Sequence, residues 1–287
     1  MQHVRKAYAK VNIGLDVLRK REDGYHELRM IMQTVDLYDT LTFTKTDEGI
    51  SLSCTAEGLP CDERNIAYRA AALMMEHYKI PGGIEIHLQK EIPMAAGMAG
   101  GSTDAAAVLL GMNELYELGA SKEELCTLGV KLGADVPYCV MGGTMLSEGI
   151  GEVLTPLHEV PACTVLICKP DFDVSTKYVY ENLHANSLTE HPDIDGLIDA
   201  IERDSAEDMA ALMENVLETV TERKYEDITT IKNIMKEKGA MKALMSGSGP
   251  TVFGLFREKE TAAKAAEVLK NRFPAASVFV SRFIKPE

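Results

Sequence analysis

The stretch PMAAGMAGGSTDAAA at residues 93–107 holds the residue types that grip an anion. Gly97, Gly100 and Gly101 let consecutive backbone amides approach one ligand. A helix beginning near Ser102, Thr103 or Asp104 would add about half a positive charge at its N-terminus. The same composition equally describes a tight turn closed by a capping serine. A second group lies near the amino terminus. From Ala7 to Val17 the odd positions are apolar and the even ones are Tyr8, Lys10, Asn12, Gly14 and Asp16. A strand of period two therefore carries a phenol, an ammonium and an amide side by side on the face opposite the core.

Other chemistries find less support. The loop has no GK[ST] ending and no GxGxxG with a suitably spaced acid, so neither common nucleotide motif fits. The seven histidines include no pair at helical ligand spacing around a glutamate, and no protein-built metal site is expected. Six cysteines without paired spacing, in a chain of 287 residues, read as reduced thiols. With 30 basic against 44 acidic residues the net charge is -14, which opposes nucleic acid and anionic membranes as partners. Lys10, Asn12 and Asp16 interrupt what a signal peptide would need as an apolar run, and no long apolar span follows. A cytoplasmic protein is expected; nothing here fixes an oligomeric state.

The elements that must position these groups follow from periodicity. Extended stretches are expected at 30–43, 50–54 and 84–89, with helices at 65–78 and 104–118. After Pro161 a strand at 164–168 opens a second rhythm. Apolar residues at steps of three and four from Met209 to Val220 predict one amphipathic helix over 206–222. A helix at 227–238, strands at 242–245 and 251–256, a helix at 260–272 and a strand at 277–283 complete it. That order is the split βαβ of ferredoxin-like domains with extra helices in the first crossover. A domain boundary near residue 160, dividing 1–159 from 160–287, is expected.

Three segments in order, AKVNIGLDV (9–17), the loop at 93–107 and SGSGPTVFGLF (246–256), resemble the signatures of the GHMP kinases. REDGYHELRMIMQTVDLYD (21–39) and LGADVPYCVMGGTMLSEGIGE (132–152) are similar to a branch whose acceptor alcohol carries a cytidine diphosphate. The resemblance implies an α+β chain, with a ribosomal-protein-S5-like N-terminal domain, a ferredoxin-like C-terminal domain and the active site in the cleft between them. It implies ATP as phosphoryl donor, with Pro93, Met94, Ala95, Ala96, Gly97, Met98, Ala99, Gly100, Gly101, Ser102 and Thr103 around its phosphates. Lys10 and Asp135 match the family's catalytic pair. Tyr25 and His26 match positions that hold the cytosine, Tyr180 is a candidate for the opposing ring, and Asn12 is a candidate for the diphosphate or sugar.

By residue type alone, Asp135 also reads as a helix N-cap before Pro137, Lys10 as a solvated strand lysine and His26 as a turn histidine. The common family loop has serines where this chain has Gly100 and Gly101, so Mg2+ is expected to ride on the ATP phosphates and water. Ser246, Gly247, Ser248 and Gly249 are expected to support the nucleotide loop.

Overall fold

The computed structural model describes residues 2–286. Strand β1 (Gln2–Lys20) turns back through residues 21–25 into β2 (His26–Thr46), with which it pairs. Both are longer than the alternation predicts. From Ala9 to Val17 both faces of β1 are buried, so Lys10, Asn12 and Asp16 lie inside the protein and not on a solvated face. Alternation reports which side chains share a face; it does not report what covers the polar one.

Two compact units interleave along the chain. The first contains the chain up to Ala9, Leu37–Met94 and Ala99–Gly142. In it β3 (Gly49–Cys54) pairs parallel with β4 (Gly83–Gln89), which pairs antiparallel with the second half of β2. Helices α1 (Ile66–Tyr78), α2 (Gly100–Leu115), α3 (Lys122–Val130) and α4 (Val136–Met141) pack together around α2. Phe43, Ile84, Ile86 and Leu88 from the strands meet Ala70, Met74, Ala105, Val108 and Leu109 from the helices. The run of alanines in α2 lets neighbours approach closely, and most of that helix is buried. Asn65 caps α1, its side chain accepting the Ala67 amide at 2.9 Å.

The second unit contains Lys10–Asp36, Ala95–Met98 and the chain from Gly143 onward. Here β5 (Thr144–Gly149) pairs with the first half of β2 and with β6 (Val153–Pro156). A separate four-stranded sheet is built from β7 (Thr164–Lys169), β8 (Lys242–Met245), β9 (Val252–Phe256) and β10 (Ser277–Arg282), ordered β10-β7-β9-β8 and antiparallel throughout. Numbered within that sheet the order is 4-1-3-2, the ferredoxin-like arrangement that the element order predicts. Between β7 and β8 run α5 (Thr176–Asn182), a 3-10 turn at Ala185–Ser187, α6 (Ile194–Glu202), α7 (Ala206–Leu212), α8 (Glu218–Lys224) and α9 (Glu226–Glu237). Helix α10 (Lys259–Arg272) joins β9 to β10, and α9 and α10 cover the sheet with Ile228, Ile231, Met235, Ala262, Ala265 and Leu269.

The single helix expected over 206–222 is in fact two. It breaks at Met213, whose ψ of 124° leaves the helical region, and residues 214–216 instead pair with β1. Leu15 donates its amide to the Glu214 carbonyl at 2.9 Å, and Val216 donates to the Leu15 carbonyl at 3.0 Å. A strand-like segment thus satisfies backbone groups of β1 that a helix would leave unpaired.

Candidate active site

The glycine-bearing loop leaves β4 and enters α2 without a serine cap. Helix α2 starts at Gly100, earlier than the Ser102–Asp104 expected, and its N-cap is Ala99 with no side-chain hydrogen bond to the first turn. Ala95, Gly97 and Ala99 have φ of 49°, 71° and 58°. Alternate left-handed residues turn successive amides to one side, the geometry of an anion nest. Holding two alanines there costs roughly 1–2 kcal/mol each, a strain that sites retain when function requires the backbone shape. Thr103 is buried and donates its hydroxyl to the Tyr8 carbonyl at 2.8 Å. Pro93 is partly exposed, Met94 and Ala95 are exposed, and Ala96 and Met98 are packed inside.

Within the second unit, Lys10 lies beside this loop. Its backbone amide donates to the Met98 carbonyl at 3.2 Å. Its ammonium donates to Asn12 Oδ1 at 2.8 Å and to the Gly97 carbonyl at 3.5 Å. The shared face predicted by period two brings Lys10 and Asn12 together. The Ser246 hydroxyl donates to the same Gly97 carbonyl at 2.9 Å. A side chain at Gly97 would put its Cβ 2.3 Å from the Ser246 carbonyl, so only glycine fits where loop and turn meet.

The turn at Ser246–Gly249 is a junction. Ser248 exchanges a hydrogen bond with Thr176 at the start of α5, oxygen to oxygen 2.9 Å, and the Ser248 carbonyl accepts the Thr221 hydroxyl at 3.3 Å. Helix α5 carries Tyr180, whose ring lies against His26 with centroids 5.0 Å apart and planes tilted 36°. Burial and, secondarily, the Lys20 charge hold the His26 imidazole below its ordinary value, so it is neutral near pH 7. Tyr25 precedes it at 60% exposure, in a turn fixed by the Asp23 carboxylate accepting the Tyr25 amide at 3.1 Å. The structure therefore brings His26 and Tyr180 into contact and leaves Tyr25 open to solvent.

Within the first unit, Asp135 is the N-cap residue of α4, with Pro137 in the first turn, but its side chain makes no capping hydrogen bond. Helix α4 packs on α2. Just before Asp135, a Cβ at Gly133 would lie 3.9 Å from the Ser102 hydroxyl, so the Asp135 turn adjoins the first turn of α2.

The same unit contains a cluster that no spacing along the chain announces. Lys90, at the start of the loop, is sandwiched between the Asp39 carboxylate and Asp104 Oδ2, the latter at 3.0 Å, with all three side chains buried. Asp39 also accepts the amides of Glu91 and Ile92 at 2.6 and 2.8 Å. Burial, followed by the adjacent Asp39 charge, raises the Asp104 carboxyl well above the ordinary range despite Lys90. Asn215 was likewise missed. It is buried, and its amide donates to the Met245 and Gly247 carbonyls at 2.8 Å each.

Comparison with known proteins bears on both halves of the chain. Residues 65–143 match the GHMP kinases N terminal domain and residues 197–275 the GHMP kinases C terminal domain. A Clostridium perfringens protein named 4-diphosphocytidyl-2-C-methyl-D-erythritol kinase is 51% identical over 280 residues, 97% of each chain. A protein of the same name from Lachnospira eligens is 50% identical over 288 residues, 100% of each. A crystal structure of 4-(cytidine 5'-diphospho)-2C-methyl-D-erythritol kinase superposes with a TM-score of 0.84 at 34% identity, covering 98% of this chain and 100% of that one.

Proposed function

The chain belongs to the GHMP kinases, and from that membership we propose that it transfers the γ-phosphoryl group of ATP to the 2-hydroxyl of 4-diphosphocytidyl-2-C-methyl-D-erythritol, a step in non-mevalonate isoprenoid precursor biosynthesis. The observation that carries the reading is the loop itself, with left-handed residues at 95, 97 and 99, an uncapped helix start and the Lys10 ammonium bonded to the Gly97 carbonyl. Backbone amides and one cation suit a triphosphate in a protein whose net charge is negative.

In the proposed reaction the acceptor hydroxyl oxygen attacks the γ-phosphorus, the bond from that phosphorus to the bridging oxygen breaks, and ADP leaves. Asp135 orients the hydroxyl and takes its proton, a role supported by a carboxylate at the start of α4, whose preceding turn adjoins the first turn of α2. Lys10 offsets charge on the attacking oxygen and the transferred group, with Asn12 fixing its ammonium at 2.8 Å. The loop from Pro93 to Thr103 holds the ATP phosphates, with the backbone amides between those two residues as donors. His26 and Tyr180, with Tyr25 beside them, receive the cytosine; a neutral imidazole against a phenol ring suits a flat base.

Among the described residues no group of three or more His, Cys, Asp or Glu side chains is arranged to hold a metal. Mg2+ would enter on the ATP phosphates with its waters, where it would neutralise phosphate charge. The free state of all six cysteines supports a reducing, cytoplasmic setting. We also propose the division at residues 1–159 and 160–287, supported by the ladders: β1 to β6 end at Pro156 and the other sheet starts at Thr164.

The test is ADP release from Mg-ATP with the cytidine diphospho-alcohol, homoserine, mevalonate or galactose as acceptor. Release with the first alone is expected. Release only with one of the others would overturn the acceptor assignment.

A further inference from the structure

The Lys10 ammonium donates to a carbonyl that also accepts a hydrogen bond from a turn, and one buried amide side chain binds two carbonyls of that turn and its preceding strand. Asn215 lies in the strand-like break between α7 and α8, opposite Leu15 of β1, in an isolated parallel bridge. Its side-chain oxygen accepts the Leu217 amide at 3.0 Å, which fixes the orientation of the group. Its NH2 is then directed at two carbonyls, Met245 and Gly247, at 2.8 Å each. The backbone N–H of the same Met245 donates to Glu218 at 2.7 Å. Between the two carbonyls stands Ser246, whose hydroxyl donates to the Gly97 carbonyl. Gly247 adopts φ +56°, and a Cβ there would meet the Gly97 carbonyl at 3.2 Å and Asn12 Oδ1 at 3.6 Å. The turn therefore bonds to the Gly97 carbonyl and adjoins Asn12, two groups that the Lys10 ammonium reaches.

We propose that Asn215 is a positioning residue for phosphoryl transfer, setting where the Lys10 ammonium stands through Gly247, Ser246 and the Gly97 carbonyl. The inference rests on the catalytic reading of Lys10. Two donors of fixed separation on one planar group are what the task requires: a hydroxyl could serve one carbonyl, and a carboxylate would turn lone pairs toward both. The pairing with Leu15 adds register, because β1 carries Asn215's segment at residue 15 and Lys10 and Asn12 a few residues earlier on the same strand. The break in the expected helix over 206–222 has a purpose in this account. A continuous helix could not present Asn215 to β1 and to the turn together.

The experiment measures steady-state kinetics of the full chain with Asn215→Asp, Asn215→Ala and Ser246→Ala, singly and as the Asn215→Ala/Ser246→Ala pair, with melting temperatures alongside. A misplaced catalytic group of about 1 Å costs about 10²-fold in turnover. We expect kcat to fall by about that factor in Asn215→Asp, with KM for ATP and acceptor within about threefold. The double variant is expected to lose no more than the worse single one, because both act on one carbonyl. Wild-type kcat in a folded Asn215→Asp variant, or losses that multiply in the pair, would overturn the proposal. If neither Asn215 variant folds, Gly247→Ala tests the same path from the other side and must show the same kcat loss at nearly unchanged KM; unchanged kcat there also overturns it. Failure of the wild-type protein to release ADP with any acceptor would instead count against the kinase reading, which keeps the two failures apart.

Discussion

The Ser246 hydroxyl and the Gly97 carbonyl meet at 2.9 Å although 149 positions separate them in the chain. That contact joins the two glycine-rich motifs and fixes the carbonyl toward which Lys10 points. The geometry leaves no room for a side chain at residue 97, which yields the first prediction.

Gly97→Ala would force a methyl group to within 2.3 Å of the Ser246 carbonyl and hold alanine at φ +71°. The left-handed conformation alone costs roughly 1–2 kcal/mol, so the loop must move. ATP affinity, read by titration calorimetry, is expected to fall at least about tenfold, the equivalent of about 1.4 kcal/mol. Unaltered affinity would separate this loop from ATP binding.

Lys90 sits between two buried carboxylates. Lys90→Met leaves Asp39 and Asp104 together without a cation, and removing one partner of a buried pair costs about 3–5 kcal/mol. Denaturant unfolding should show that loss. A value under about 1 kcal/mol, the range of surface pairs, would contradict the buried cluster.

Asp104 gives a prediction of the opposite sign. Its carboxyl is raised in the folded state, chiefly by burial and then by Asp39, so the folded protein binds this proton more tightly than the unfolded chain does. The stability it contributes is complete below the unfolded value near 3.8 and is lost as pH rises toward the folded value. Asp104→Asn, which mimics the protonated form and can donate to Asp39, should therefore gain stability relative to wild type as pH increases from 4 to 8. Melting curves across that range check it; a gap that shrinks with pH would contradict the direction.

His26 and Tyr180 form a ring pair that is expected to open around cytosine. Stacking is worth roughly 1–3 kcal/mol per base, so Tyr180→Ala should raise KM for the cytidine-bearing acceptor by about 5- to 150-fold with ATP KM unchanged. Tyr180→Phe should restore it. Equal losses for ATP and acceptor would remove Tyr180 from the base site.

The parts of this arrangement that were legible in the sequence are those governed by local period or local order. Two-residue alternation brought Lys10 and Asn12 to one face, and the strand-helix order of the second half gave the 4-1-3-2 sheet. Other parts depend on partners distant in the chain. The apolar steps from Met209 to Val220 run unbroken through the sequence, and only the unpaired backbone of β1 makes the chain leave the helix at Met213. Helix α2 starts earlier than its composition suggests: glycine counts against helix, but Ala99 in a left-handed conformation admits Gly100 and Gly101 as the first residues. Lys90, Asp39 and Asp104 carry no shared spacing; the fold alone joins them.

The central claim, phosphoryl transfer assisted by Asp135, is tested most directly by single-turnover transfer from ATP to the cytidine diphospho-alcohol in Asp135→Asn. Loss of one preorganised polar contact costs about 10²–10³ in rate, so the account predicts a rate lower by that factor with ATP still bound as in wild type. A rate within a few-fold of wild type would contradict it.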